Sequence, residues 1–327
     1  MKKVLAWVLC LMLTLGMVSV ASAEFAPVNK DDLKVGFVFI GDVSDKGYTY
    51  AHYQGLLDMQ QNLGLSDDQI LIKTNVSEDS SCETALRELV EAGCQIIFGN
   101  SYGYMNYMAE LADEYPEVIF SHCSGYMSND TNFNNYFGAI YQARYLAGIA
   151  AGLKTQTNKI GFVAAMQTPE VIGGFDAFAL GVQSVNPDAV VYVKYTNSWY
   201  DATLERQTAD ALLDLGCDVI GQHCDTANPQ IAAQERGVWG CGYNADMTVD
   251  APKAHLTAPV WHWGAVYTKE VQEVLDGTWK PEKIFLTMAD GLVDLSPLSE
   301  NCAEGTAEAI EAARAKIVSG EFDVFEG

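Results

Sequence analysis

The sequence predicts an α/β protein of two doubly wound α/β lobes joined by a multi-strand hinge. Three observations lead there. Between residues 35 and 140, short apolar, β-branched runs alternate with segments of helical spacing. The same alternation runs again from residue 143 to 241, over a similar length, so each set should build a parallel sheet with helices on both faces. The remaining tail adds further helices and a strand, so the chain should pass between the lobes more than once. Such crossings make a hinge that can close on a ligand.

The first set opens with a strand at 35–40, a loop Gly41-Asp42-Val43-Ser44-Asp45-Lys46-Gly47, and a helix carrying Tyr48, Ala51, Leu56 and Met59. This loop lies at the carboxyl end of the first strand, where open parallel sheets bind ligands. A strand at 70–73 follows. Ser80-Ser81-Cys82-Glu83 reads as a capping box opening a helix with Leu86, Leu89 and Val90 on one face, ended by Gly93. Next come a strand at 95–98, a loop holding Asn100 and Tyr102, and a helix at 104–114 stopped by Pro116. A strand at 118–122, a polar loop at 129–135 and a strand at 136–140 complete the set.

The second set reads as helix 143–154, strand 159–164, helix 170–184 and strand 189–194. After the loop of Asn197, Trp199 and Asp201 come helix 203–215, strand 218–222, a short helix at 229–235 and strand 238–241. The loop Gly242-Tyr243-Asn244-Ala245-Asp246 follows. The tail reads as a connection, a helix at 263–275, a strand at 283–286, a linker at Gly291 and a last helix at 303–317. The expected division is 34–140 plus about 258–288 for one lobe, and 141–257 plus about 289–327 for the other.

The N-terminus reads as a secretion signal over residues 1–23. Lys2 and Lys3 precede an apolar run, and Ala21-Ser22-Ala23 is a cleavage site before Glu24. Trp7-Val8-Leu9 before Cys10 lacks the small residues that lipidation needs, so cleavage after Ala23 and export without a lipid anchor are expected. Residues 24–33 read as a tether. The chain has 43 acidic and 19 basic residues and a formal net charge of −24, which argues against nucleic acid or an anionic membrane as partner. Seven cysteines beyond Cys10 show no C-x-x-C spacing, so no metal centre is expected; an exported setting permits a disulfide without naming the pair.

Phosphate-loop, dinucleotide and G-x-S-x-G fingerprints are absent, and no two histidines stand at metal-binding helical spacing. No cofactor or enzyme activity is indicated; a hydrolase built on His223 and Asp225 is the remote alternative. What stands out is aromatic residues in loops after strands: Tyr48, Tyr102, Trp199, Trp261 and Trp263. Beside them lie Asn100, Asp201, Asp225, Asn244 and Asp246. Aromatic rings in a cleft stack on flat ligands, and a few placed polar groups fix orientation.

Several segments together carry a family resemblance: VGFVFIGDVSDKGYTYAHYQG, FGNSYGYMN, YLAGIAAGLKTQTNKIGFVAA, NSWYDATLERQTADALLDLGCDVIGQH, GYNADM and KAHLTAPVWHWG. In these the chain resembles the basic membrane protein family of solute-binding proteins, the purine-binding receptors of ABC transporters. The resemblance implies the type I periplasmic-binding-protein fold, a purine ligand and a membrane permease as partner; the chain is expected to be a monomer. It implies that Tyr48, in Asp45-Lys46-Gly47-Tyr48-Thr49, stacks on one face of the purine and Trp199 on the other. Asp246, with Asn244 two residues before it, matches the acidic residue of a late binding loop. Nucleoside-binding members grip ribose with an Asp and a Lys; here Ser124 and Trp261 stand at those positions, which points to a free base such as adenine. The family's base-reading Asp aligns at Ile40 or, displaced, at Asp42. A sensory module of the same fold is the alternative use.

Overall fold

The structure, a computed structural model, describes residues 25–326. The expected signal segment and its cleavage site lie outside the described residues. In chain order the first elements are β1 (Val35–Val38), α1 (Tyr48–Leu63), β2 (Ile70–Lys73), α2 (Ser80–Glu91), β3 (Ile96–Gly99), α3 (Met105–Glu114), β4 (Ile119–Cys123) and β5 (Phe133–Gly138). Then come α4 (Ile140–Lys154), β6 (Lys159–Ala164), α5 (Pro169–Val185), β7 (Val190–Tyr195), α6 (Ala202–Asp214), β8 (Val219–His223), α7 (Asn228–Glu235) and β9 (Trp239–Cys241). The tail supplies β10 (His255–Thr257), β11 (Pro259–Trp261), α8 (Gly264–Asp276), β12 (Ile284–Leu286), β13 (Val293–Leu295) and α9 (Thr306–Ser319).

Two parallel sheets result. The first has the order β12-β5-β4-β3-β1-β2 and the second β10-β9-β8-β6-β7. Every residue of β1, β3, β4 and β8 is buried. This is why these strands read as continuous apolar runs: helices cover both faces of a parallel sheet. β7, at an edge, alternates between exposed and half-buried residues instead.

The chain leaves the first sheet after Gly138, comes back through β11 and departs again through β13. β11 and β13 pair antiparallel, with Val260 opposite Asp294. Neighbouring backbone bonds tie the crossings together: Ala139 N–H donates to the Leu286 carbonyl (2.9 Å) and His262 N–H to that of Leu292 (2.8 Å).

The structure corrects the expected boundaries in four places. Helix α2 has Ser80 as its first residue and Asp79 as its cap. The Asp79 carboxylate, in extended backbone, accepts from the Ser81 amide at 2.8 Å, leaving no capping role for Ser80. β5 begins inside the supposed polar loop. Asn134 donates to Glu270 (2.9 Å) and Asn135 to the His122 carbonyl (2.9 Å), so the side-chain amide nitrogens of these buried asparagines find acceptors inside a strand. The connection before α8 contains β10 and β11, and β13 follows Gly291; these three-residue strands are too short to show a period. The seven described cysteines are all free thiols, and all but Cys302 are buried.

Helices α4 and α5 are pressed together by small residues. A Cβ on Gly148 would strike the Phe178 carbonyl oxygen, and one on Gly181 the Tyr145 carbonyl oxygen. This contact seats α4 between the second sheet and the crossings, and α4 carries a charged group of the cleft described below. Gly181→Ala is expected to destabilise the fold by about 1–3 kcal/mol through overpacking. The check is a urea melt, with a lower midpoint and an unchanged slope.

Candidate functional site

Both sheets present their carboxyl ends to a shared cleft. On the first-sheet side, Asp45 shapes the loop into α1. Its carboxylate accepts from the amides of Gly47 (2.8 Å), Thr49 (3.1 Å) and Tyr50 (2.9 Å), which satisfies donors that a helix start leaves open. Tyr48 is thereby fixed as the first residue of α1. Its hydroxyl donates to the Asn100 carbonyl (2.7 Å) and contacts Cys123 Sγ (3.3 Å). Burial holds that phenol well above its ordinary pKa, so it remains a neutral donor. Asn100 is buried; its Oδ1 accepts from Ile40 N–H (3.0 Å), while its Nδ2 has no partner among the described residues.

Behind Tyr48 runs an aromatic column. The Tyr48 ring meets His52 edge-on (4.4 Å), His52 stacks on Trp263 (4.4 Å, 8°), and Trp263 stacks on Trp261 (4.4 Å, 14°). His52 is anchored from below by the Tyr267 hydroxyl at 2.5 Å. Trp261 is buried in β11 and its Nε1 donates to the Tyr243 hydroxyl (3.3 Å). The column makes one wall of the cleft rigid.

On the second-sheet side, the central residue is Asp225, just past β8. Its N–H donates to the Trp199 carbonyl (3.3 Å) and its Oδ1 accepts from Asn244 Nδ2 (2.9 Å). Asn244 adopts a left-handed backbone (φ 67°), a conformation asparagine tolerates, and its Oδ1 is left without a donor. Trp199 is half-buried and lies 6.2 Å from His223. Asp201 caps α6 through the Thr203 and Leu204 amides (3.0 and 2.9 Å).

The two sides touch. Gly47 packs on the Asp225 backbone so closely that a Cβ would stand 2.8 Å from the Asp225 Cα. Lys46 Nζ reaches Asp250 at 2.8 Å. The structure therefore brings together Tyr48, Asn100, Trp199, Asp225 and Asn244, with Asp45 supporting the loop and Trp261 at the hinge wall. Three other candidates stand apart. Tyr102 is 52% exposed. Asp42 is exposed and accepts from the Ser44 amide (2.9 Å), and Asp246 is exposed and accepts from the Thr248 amide (2.9 Å).

Three side chains that sequence reading did not single out as ligand contacts also face this region. Arg144 of α4 is buried; it donates to the Gln222 carbonyl, and its guanidinium lies 3.7 Å from the Tyr243 ring centre. Tyr243 lies 4.6 Å from His223. Glu170, in the first turn of α5, approaches His223 Nε2 at 3.4 Å. Burial depresses the His223 pKa, opposed by Glu170. The strand-end rule that picked out Tyr48 applies equally to Glu170, which follows β6; a lone Arg in an apolar helix was the signal for Arg144.

The family model described as ABC transporter substrate-binding protein PnrA-like, Bmp, matches residues 32–326. The chain belongs to this family. Its members are binding proteins and not enzymes. A purine-binding protein of Brucella abortus is 37% identical over 91% of this chain and 84% of its own length. A protein of Haloferax volcanii, provisionally named the glucose-binding protein of an ABC transporter, is 33% identical over 92% of this chain and 76% of its own. A solute-binding protein structure from Aeropyrum pernix superposes with a TM-score of 0.77 at 20% identity, covering 89% of this chain and 92% of its own, and shares the fold. Among the described residues no helix is long and apolar enough to cross a membrane. The family works outside the cytoplasm.

Asp225 gives the closed cleft a pH dependence. Burial, then the charges of Asp45 and Glu205, raise its pKa well above the ordinary 3.8; the Tyr48 amide and Asn244 oppose this. Enclosed here, the carboxyl holds its proton more tightly than a solvated aspartate does. Closure is then favoured at low pH and weakens as pH rises from about 4 through the raised value. Ligand affinity measured across that range should fall with pH in the wild type and follow a flatter line in Asp225→Asn, which keeps an acceptor for Asn244.

Proposed function

We propose that the chain is the exported solute-binding component of an ABC importer and that it binds a purine in the cleft, between Tyr48 and Trp199, for delivery to a permease. The lobes that close are 34–140 with about 258–288, and 141–257 with about 289–327. The observation that carries this reading is that the loops bearing Tyr48 and Trp199, from opposite sheets, meet at Asp225: Gly47, next to Tyr48, packs on its backbone, and its N–H donates to the Trp199 carbonyl. The identity to a purine-binding relative supports the ligand class. A free base such as adenine is favoured over a nucleoside, because Ser124 and the buried Trp261 ring offer no charged grip for ribose. Asp246, Tyr102 and Asp42 would act at the margin of such a site and not at the ring faces.

The Haloferax relative supports a second reading, a sugar in the same cleft. One titration series separates the readings. Protein unfolded, freed of bound ligand and refolded is titrated calorimetrically with adenine, guanine, adenosine, guanosine and glucose. Adenine is expected to bind more tightly than adenosine and glucose. Tyr48→Ala and Trp199→Ala should each weaken adenine binding by about 5- to 150-fold, the worth of one stacking face. Tighter binding of a nucleoside overturns the base preference, glucose as the only ligand overturns the purine reading, and unchanged affinity in both variants overturns the stacking arrangement.

A further inference from the structure

One charged group in the second lobe is incompletely hydrogen-bonded among the described residues. Arg144 is 1% exposed, and its Nε and Nη2 donors have no acceptor among the described residues. Its guanidinium is held only by the Gln222 carbonyl and by the faces of Tyr243 and Phe162. Buried charges of this kind are ordinarily paired, because an unsatisfied charged donor carries a large desolvation cost. His223, 3% exposed, likewise has an Nδ1 without a partner.

These orphaned atoms share a location. A Cβ placed on Gly174 of α5 would stand 3.5 Å from His223 Nδ1 and 3.6 Å from Arg144 Nε. One turn earlier on the same helix, Glu170 meets the other nitrogen of His223, and its side chain keeps 28% of its exposure. His223 lies beside Trp199 and Tyr243, so Glu170, half-buried in the first turn of α5, stands at the carboxyl-end side of the second sheet with one carboxylate oxygen next to His223. At the end of the first strand, Ile40 offers no side-chain acceptor, and the Asp42 carboxylate is exposed and accepts from the Ser44 amide.

We propose that Glu170 is the specificity-determining acceptor of this site: it takes an N–H of the bound heterocycle, while Arg144 donates to an acceptor next to that N–H. The ligand class is a neutral heterocycle with an N–H donor beside a ring-nitrogen or carbonyl acceptor. The acid that reads the ring then comes from the second lobe. His223 is a positioning residue, holding the carboxylate toward the cleft. This rests on the purine reading above and names the group that selects among purines. A site built around a hydrogen bond discriminates strongly against an analogue that lacks it, because the buried partner is then left unpaired.

The test uses the ligand-free full chain and three probes: adenine, N6,N6-dimethyladenine and 9-methyladenine. In the wild type, at least one methylated probe should bind about 10- to 100-fold more weakly than adenine. In Glu170→Ala, that gap should close through loss of adenine affinity, with the methylated probe unchanged. Glu170→Asp, which keeps a carboxylate on a shorter arm, should restore part of the gap. A purely structural role would weaken all three probes together, and that result overturns the proposal, as does a gap that survives in Glu170→Ala. A wild type that binds adenine with no preference over either methylated probe also overturns it while leaving the purine reading intact. A wild type that binds none of the three overturns the proposal and the adenine preference, while the purine reading is then decided by the titration with guanine and the nucleosides.

Discussion

The contact between Gly47 and Asp225 governs the geometry of the cleft. It joins the loop after β1 to the loop after β8, backbone against backbone, with no room for a side chain between them. Because Gly47 directly precedes Tyr48, this approach fixes how far the Tyr48 ring stands from the second lobe. Because Asp225 donates to the Trp199 carbonyl, the same contact fixes the other aromatic. The Lys46–Asp250 pair lies at the rim; Lys46 is largely exposed, so solvent screens the pair and it adds little. In the proposed closure the driving energy comes from what the cleft encloses, which is how a bound ligand shifts a two-state equilibrium.

The walls of the cleft divide the work. The first lobe supplies rigidity: Tyr48, His52, Trp263 and Trp261 form a continuous aromatic column, and the Tyr48 hydroxyl is fixed on Asn100. The second lobe supplies polar groups, several of them incompletely satisfied. Asp45, Asp225 and Glu170 place acidic groups around the closed site, with Arg144 as the buried cation beside it. That balance suits a neutral ring bearing both donors and acceptors better than an anion.

The fold was legible because parallel strands covered on both faces leave apolar runs, and the helices between them leave a 3.6-residue period. The hinge was less so, since β10, β11 and β13 have three residues each and their pairing is set by distant chain. Within the site, Tyr48, Trp199 and Asp225 could be found from their places after strands. The acidic loop residues were harder to sort. A carboxylate after a strand is as useful to a helix start as to a ligand, and Asp45 and Asp201 both serve helix amides. Arg144 and Glu170 were the least visible. The role of Arg144 depends on which face of α4 meets β8, and glycines on α4 and α5 decide that through contacts far apart in sequence.

The central claim is that the lobes close on ligand through the Gly47–Asp225 contact. Small-angle X-ray scattering of ligand-free and adenine-saturated protein, in the wild type and in Gly47→Ala, tests it most directly. Adenine is expected to lower the radius of gyration of the wild type, while Gly47→Ala, with a methyl group against the Asp225 backbone, stays at the ligand-free value and binds adenine more weakly. A Gly47→Ala protein that compacts and binds like the wild type would contradict it.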